Sequence, residues 1–297
     1  MLKSTFLFLS QSPTLRRWME HSPLAKPLTR RFVAGNTLED ALGVVAKIQA
    51  QGILTTLDPL GESVTQREEA LASCAHALEA LDQLAARKLR STISIKLTQM
   101  GLDIDAELAY ENARRLVERA RQCGTRVEFD METSAHVDRT LAIVHRLHAE
   151  LESVRAVIQA YLFRSEADIR ALNQARIPVR LCKGAYQESP SVAFAEKAQV
   201  DENYLRLSEL LLKEGVEPAI ATHDDRMVAG ARGADKASFE YQMLYGVRQD
   251  LQRKLAAEGY RVRVYVPYGE AWYPYFMRRL AERPANVLFL ARNFFKN

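Results

Sequence analysis

The chain has 297 residues, of which 47% are apolar and 26% charged, with 13 glycines and 10 prolines; these are globular proportions and exclude collagen-like and low-complexity chains. The net charge of +4 arises in residues 1–38, where six basic side chains stand against Glu20 alone, so a nucleic-acid footprint spread over the domain is not expected. Three cysteines without C-x-x-C spacing favour a reduced, cytoplasmic protein.

The first 45 residues are interpreted as an N-terminal helical arm in which apolar residues such as Phe6, Phe8 and Trp18 alternate with basic ones. Its apolar start is too short for a secretory signal, and nothing later approaches the roughly 18 consecutive apolar residues of a membrane span. Two interpretations stay open: a helical cap packed on the body, and a peripheral contact with the anionic inner face of a membrane.

Residues 46–297 alternate between short β-rich runs and longer helical patterns, which is typical of successive βα units. The predicted strands are Ile53–Asp58, Thr92–Thr98, Arg126–Met131, Arg155–Tyr161, Val179–Lys183, Pro218–His223, Phe239–Leu244 and Val262–Pro267. The predicted helices include Thr65–Lys88, Ala106–Gln122, Val137–Glu150, Ala167–Ala175, Ser191–Glu214 and Gln249–Glu258.

Eight such units predict one (β/α)8 TIM barrel as the catalytic domain. A doubly wound open sheet is the alternative, but it usually carries a glycine-rich phosphate turn after its first strand. Here Leu57-Asp58-Pro59-Leu60-Gly61 follows that strand, and no G-x-G-x-x-G or Walker sequence occurs.

Polar residues lie at or near the ends of several predicted strands, where the reactive groups of a barrel gather. They are Lys96, Asp130, Gln159, Arg180, Lys183, Thr222 and His223. Lys96 and Asp130 on neighbouring strands could form a purely structural ion pair. Arg180 and Lys183 bring more positive charge than Asp130 can neutralise, so a bound anion is the simpler interpretation.

After the last strand, a helix is predicted that contains Pro274 near its start and then Arg278 and Arg279. Successive helical residues point about 100° apart, so both arginines can bind one ligand only if the helix lies over the barrel mouth. The alternative is one exposed and one surface-paired arginine. Guanidinium groups suit a carboxylate or a phosphate, and the nearby tyrosines suit a small apolar ring.

Other polar residues are interpreted structurally. No histidine spacing indicates a metal site. Cys182 is interpreted as packing, and Asp224 and Asp225 as helix-capping residues before Met227.

Six segments together resemble the proline dehydrogenase family in its short, stand-alone form. They are Ser94-Ile95-Lys96-Leu97, Phe129-Asp130-Met131-Glu132, Gln159-Ala160-Tyr161, Arg180-Leu181-Cys182-Lys183-Gly184-Ala185-Tyr186, Thr222-His223 and Tyr275-Phe276-Met277-Arg278-Arg279. The resemblance runs from about residue 30 to the C-terminus. Cys182 stands where valine is frequent, and Tyr245-Gly246-Val247 stands where larger homologues often carry L-H-G-M.

The resemblance implies a distorted (β/α)8 barrel with the last helix over its mouth, non-covalent FAD, and oxidation of L-proline to Δ1-pyrroline-5-carboxylate with electrons passed to a membrane quinone. A pyrroline-5-carboxylate dehydrogenase would act next on the product. By position, the implied catalytic residues are Asp130 and Arg180. Those implied to bind proline are Lys96, Tyr275, Arg278, Arg279, Leu244, Tyr265 and Tyr186. Those implied to bind FAD are Met131, Gln159, Arg180, Lys183, Gly184, Ala185, Thr222 and His223.

Two other functions compete with this one. A flavin-free barrel lyase or aldolase would use Lys96 as a Schiff-base nucleophile. A non-catalytic barrel would only bind a small anion.

Overall fold

Eight parallel strands follow one another in sequence order around a closed barrel in the computed structural model. The structure describes residues 31–61 and 63–282, except for the side chains of residues 278–282. The strands are β1 (Leu54–Pro59), β2 (Ser91–Ile95), β3 (Val127–Phe129), β4 (Val154–Gln159), β5 (Val179–Cys182), β6 (Ala219–Ala221), β7 (Glu240–Leu244) and β8 (Val262–Tyr268). Thr55 of β1 pairs with Ser91 on one side and with Val264 of β8 on the other, which closes the ring. The predicted barrel is confirmed.

Helices follow the strands as in successive βα units. They are α1 (Leu38–Gln49), α2 (Arg67–Ala86), α3 (Ala106–Gln122), α4 (Val137–Leu151), α5 (Ser165–Gln174), α6 (Lys197–Glu214), α7 (Asp225–Ala231), α8 (Gln249–Ala257) and α9 (Trp272–Glu282). Asp224 caps α7 by accepting a hydrogen bond from the backbone of Arg226, as its position in the sequence predicts.

Several predicted boundaries differ from the structure, and for two of them the backbone hydrogen bonds show the reason. The second strand stops at Ile95, since the backbone after Lys96 folds into turns in which the amides of Gln99 and Met100 donate to the carbonyls of Lys96 and Leu97. The helix predicted from Ser191 begins at Lys197. The residues before it pair instead with the segment that follows β4, through a bridge between Leu162 and Ala193.

The first and last described helices occupy unusual places around the barrel. Helix α1 packs on the outside against both β1 and β8, where the helix after the eighth strand of a regular barrel would lie. Helix α9 belongs instead to a separate apolar cluster at the mouth. Its members are Phe32, Val33, Val247, Trp272, Tyr273, Tyr275, Phe276 and Met277, with Leu60 and Leu244 packed against them. The last helix therefore covers the mouth, as expected.

The N-terminal arm is only partly described. Residues 1–30 lie outside the described residues, and the predicted boundary at residue 45 falls inside α1, so the division into an arm and a barrel stays a prediction. Among the described residues, no helix combines the length and the apolar character needed to cross a membrane.

Candidate functional site

The barrel interior is charged rather than apolar. Inward side chains alternate along each strand, and Glu128 on β3 is fully buried between two arginines. Its carboxylate oxygens lie 3.3 Å from Nη1 of Arg155 and 3.0 Å from Nη1 of Arg180. Glu240 on β7 pairs in turn with Arg155 and Arg263, at 2.5 and 2.8 Å. This network fills the barrel beneath the mouth.

Asp130, just after β3, is the hub of the mouth. Its carboxylate accepts hydrogen bonds from Ser94 Oγ at 2.8 Å, from the Tyr265 hydroxyl at 2.6 Å and from Nη2 of Arg180. The Lys96 ammonium lies 3.4 Å from Oδ2 of Asp130, the oxygen that also accepts from Tyr265. Segments up to 135 positions apart in the chain thus meet at one carboxyl group.

The charges around Asp130 decide its protonation. Burial alone would raise its pKa, but Arg180 and Lys96, together with the hydrogen bonds from Tyr265 and Ser94, lower the pKa to about 2. Asp130 is therefore ionised over the working range of pH and is a poor proton acceptor. It is placed to hold Lys96 and Arg180 in position.

The residues predicted to bind a cofactor lie within or just after β3, β4, β5 and β6, which are consecutive strands of the ring. Gln159 is 2% exposed and donates through Nε2 to the carbonyl of Glu132 at 2.8 Å, next to Met131. His223 accepts the backbone N–H of Leu244 at Nε2, so in the neutral ring Nδ1 carries the proton. Thr222 is buried and its hydroxyl accepts from the amide of Asp224.

The loop after β5 carries the remaining predicted cofactor residues, Lys183, Gly184 and Ala185. The ammonium of Lys183 lies 2.5 Å from Asp201 and 3.0 Å from Asp224. A Cβ atom at Gly184 would lie 2.3 Å from the ring of Tyr161, so only glycine lets the backbone approach that ring. The charge of Lys183 is therefore already balanced by protein carboxylates.

The residues predicted to bind the substrate lie mostly on the other side of the ring, around β7, β8, β2 and α9. Tyr265 and Tyr275 are both buried, and Leu244 packs against the cluster of α9. Tyr186 is the exception, because it lies in the loop after β5. Arg278 and Arg279 lie within α9, but their side chains are outside the described residues, so their direction stays a prediction.

Sequence reasoning missed two buried acids of this site, Asp58 and Glu128. Asp58, in β1, is 1% exposed, and its Oδ1 lies 4.0 Å from the Lys96 ammonium. Glu128 holds Arg180 from below. Both acids could have been found from the sequence by the argument that was used for Lys96. A carboxylate within a predicted strand is as costly to bury as a lysine, so it indicates a functional or paired group.

Comparisons with known proteins bear on the whole arrangement. Residues 41–292 match the family model described as Proline dehydrogenase. The chain is 41% identical to Proline dehydrogenase 1 of Bacillus subtilis strain 168, over all of both chains. It is also 41% identical to Proline dehydrogenase of Deinococcus radiodurans, over 91% of this chain and 90% of the other. The crystal structure of proline utilization A (PutA) from Bdellovibrio bacteriovorus, inactivated by N-propargylglycine, matches with a TM-score of 0.81 and 26% identity, over 87% of this chain and 33% of that one.

Proposed function

The chain belongs to the proline dehydrogenase family, because the family model covers most of its length and full-length relatives share 41% of its residues. We propose that it oxidises L-proline to Δ1-pyrroline-5-carboxylate with non-covalently bound FAD. The observation that carries the proposal is the meeting of Lys96, Asp130, Arg180 and Tyr265 in one hydrogen-bonded cluster at the carboxyl ends of the strands.

The carboxylate of proline is the anion that this mouth would bind. Lys96 supplies a buried ammonium group. Arg278 and Arg279 of α9, the helix that covers the mouth, would bind the same carboxylate. Fixing a small amino acid by its carboxylate orients its ring, which turns binding energy into a productive geometry. Tyr275, Tyr265, Leu244 and Tyr186 would line the apolar ring.

Asp130 and Arg180 act as a rigid pair in this proposal. Asp130 remains ionised and holds the two cations apart from each other at fixed places. Arg180 is held on its other side by Glu128 at 3.0 Å, so its guanidinium is preorganised and little reorganisation accompanies the reaction.

The donor set along β3 to β6 fits a flavin. The ring system of FAD carries carbonyl and nitrogen acceptors, and the arc offers the guanidinium of Arg180, the amide of Gln159, the hydroxyl of Thr222 and the Nδ1 proton of His223. Met131, Lys183, Gly184 and Ala185 complete the set that would hold the cofactor. When bound, FAD accepts the hydride that leaves C5 of proline.

The remaining partners follow from this reaction. The electrons would pass to a membrane quinone, and a pyrroline-5-carboxylate dehydrogenase would consume the product. We propose that the protein is cytoplasmic and that the basic side chains within residues 1–38 contact the inner face of the membrane.

Reduction of the bound flavin by L-proline tests this function. We expect the purified protein to be yellow and to lose its colour when L-proline is added in the absence of air. Absorbance of the oxidised flavin is recorded during anaerobic titration with L-proline and, as a control, with D-proline. The Arg279→Met variant should keep its flavin and need far more proline for half-bleaching, because one charged contact with the carboxylate is worth about 2–5 kcal/mol.

Other results would contradict the proposal. A colourless protein in which borohydride traps a substrate on Lys96 would indicate the lyase instead. A colourless protein that turns over no amine would indicate an anion-binding barrel. Bleaching of Arg279→Met at the same proline concentration as the wild type would remove the carboxylate role of that arginine.

A further inference from the structure

The carboxyl group of Asp58 has open hydrogen-bonding capacity at the mouth. Within the described part of the chain, neither of its oxygens accepts a hydrogen bond, although the residue is 1% exposed. The ammonium of Lys96 lies 4.0 Å from Oδ1, which is beyond hydrogen-bond distance. The hydroxyl of Tyr265 has one proton and donates it to Asp130. A buried carboxylate in this state points to a ligand that donates hydrogen bonds to it.

Asp58 lies in the middle of the arc of residues that would bind the substrate. Strand β1 pairs with β8 on one side and with β2 on the other. Tyr265 is on β8, and Lys96 follows β2 directly. The barrel order therefore brings Asp58 between two proposed substrate contacts, a placement that the linear sequence does not display.

The distances suit the amine of an amino acid. In proline the ring nitrogen is two bonds from the carboxylate carbon, about 2.5 Å away. With its carboxylate bound at Lys96, proline can therefore bring its positively charged ammonium group next to Asp58, whose Oδ1 is 4.0 Å from Nζ. The ammonium group has N–H donors for the two open oxygens.

Asp58 and Asp130 differ in hydrogen bonding and in pKa, and these differences suit Asp58 to act as a base and Asp130 to hold the neighbouring cations in place. The carboxylate of Asp130 has its acceptor positions taken by Ser94, Arg180 and Tyr265. Burial raises the pKa of Asp58 to about 6, a rise that Lys96 opposes and that the charge of Asp130 reinforces. A group that titrates near the working pH is the better proton acceptor.

We propose that Asp58 is the catalytic residue that binds the ammonium group of proline and removes one of its protons. This inference rests on the proposed function and supplies a step that it leaves open, since the nitrogen must be neutral before hydride can leave the neighbouring carbon.

The proton leaves the substrate before the hydride. One N–H bond of the ammonium breaks and an O–H bond forms on Asp58, which leaves a neutral amine. The nitrogen lone pair then forms the C5=N double bond while the C5–H bond breaks, and the hydride passes to the oxidised flavin of the proposed function. The substrate has lost one proton and one hydride, and the product is the protonated cyclic imine with its carboxylate intact.

Several charged or titratable groups surround Asp58 and shape its titration. Those among the described residues are Lys96 after β2, Asp130 after β3, Arg180 on β5, and Tyr265 and Tyr268 on β8. Asp130 raises the pKa of Asp58, and Lys96, Tyr265 and Arg180 lower it. Neutralising Asp130 should therefore move the titration of Asp58 to lower pH.

The test is the pH dependence of flavin reduction by L-proline in the holoenzyme, measured by anaerobic rapid mixing. The wild-type rate should rise with pH and level off once Asp58 is ionised. In Asp58→Asn the rate at pH 7 should fall by about 100-fold or more, the usual contribution of a general base. It should then keep rising toward the pH at which free proline loses its own ammonium proton.

Two further variants and one binding measurement keep the test decisive. Asp58→Glu should restore the levelling-off with part of the rate, and Asp130→Asn should keep it but at lower pH. Calorimetry with tetrahydrofuran-2-carboxylate, which has an ether oxygen where proline has nitrogen, should give an affinity in Asp58→Asn within about threefold of the wild type, because the cation site is intact.

Each contrary result is distinct. An Asp58→Asn enzyme with the wild-type rate and profile would overturn the role of Asp58 and leave the proposed function standing. Lost binding of tetrahydrofuran-2-carboxylate in a folded Asp58→Asn enzyme would also overturn it, since the residue would then serve the whole pocket. A wild-type holoenzyme that L-proline does not reduce would overturn the proposed function and the inference together.

Discussion

Two carboxyl groups in one cluster have opposite environments, and this contrast is set by single contacts. Asp130 is surrounded by donors and its pKa falls to about 2, whereas burial raises the pKa of Asp58 to about 6. The same residue type can therefore serve as an anchor in one position and as a proton acceptor in the next. The raised pKa of Asp58 also has a consequence for stability.

The unfolding free energy of the wild type should fall, relative to that of Asp58→Asn, as pH rises. The folded pKa of about 6 lies above the ordinary value of 3.8, so the stabilising contribution of Asp58 is complete below pH 3.8 and is lost as pH rises through 6. The difference between variant and wild type should grow by about 2 kcal/mol between pH 4.5 and 7.5. Urea unfolding at several pH values measures it, and parallel curves for the two proteins would contradict the assignment.

At the scale of elements, the exchange of places between α1 and α9 makes the site possible. Because α1 covers β1 and β8 from outside, the helix that follows β8 is free to lie over the mouth. The segment before α1 joins this cover, since Phe32 and Val33 pack with Trp272 and Phe276 of α9. The cover depends on a close backbone approach at Gly246.

The Gly246→Ala variant should loosen this cover. A Cβ atom there would lie 1.6 Å from the carbonyl oxygen of Arg31, and a backbone atom cannot move away by changing a rotamer. We expect residues 31–33 and α9 to be displaced, with faster hydrogen exchange in α9 and weaker proline binding. The loss of stability should be about 2–4 kcal/mol, of the size seen for backbone clashes and overpacking.

A matched control separates the clash from the strain of a left-handed backbone. Gly52 has φ +74°, almost equal to the +73° of Gly246, but nothing lies within 4 Å of a Cβ placed there. Gly52→Ala should therefore cost only about 1 kcal/mol. Equal effects of the two substitutions on α9 would show that the contact with Arg31 does not matter.

The barrel as a whole is built around ions in place of the branched apolar layers usual in this fold. Glu128 and Glu240, held by Arg155, Arg180 and Arg263, link strands on opposite sides of the ring. Burial alone would raise the pKa of Glu128, but Arg155 and Arg180 lower it below its usual value. Its stabilising charge is therefore present above pH 4.5 and is lost as pH falls below that value.

The Glu128→Gln variant should lose about 3–5 kcal/mol of unfolding free energy at neutral pH, because two buried arginines lose a shared anion. Chemical denaturation at pH 7 measures the loss. The control is Glu107→Gln, which removes an exposed ion pair with Arg146 and should cost less than about 1 kcal/mol. Similar losses in both variants would show that the interior network contributes no more than a surface pair.

Much of the fold could be predicted from the sequence, because the relevant signals are local. Alternating strand and helix patterns gave eight units in the right order, and the bounds of α3 agree with those predicted. The capping role of Asp224 and the helix start before Pro274 are likewise short-range effects. The motifs around Lys96, Asp130 and Arg180 identified the family for the same reason, since each is a run of neighbouring residues.

The rest depended on contacts between distant segments. Burial and the absence of hydrogen bonds at Asp58 arise from β2, β3 and β8, none of which is near it in the chain. The place of α1 against β1 and β8 is equally decided by packing. The sequence by itself determined which elements form, and its motifs indicated that Lys96, Asp130 and Arg180 meet at the mouth. Only the tertiary structure decided which carboxylate is saturated and which is open, because desolvation and charge depend on all the neighbours at once.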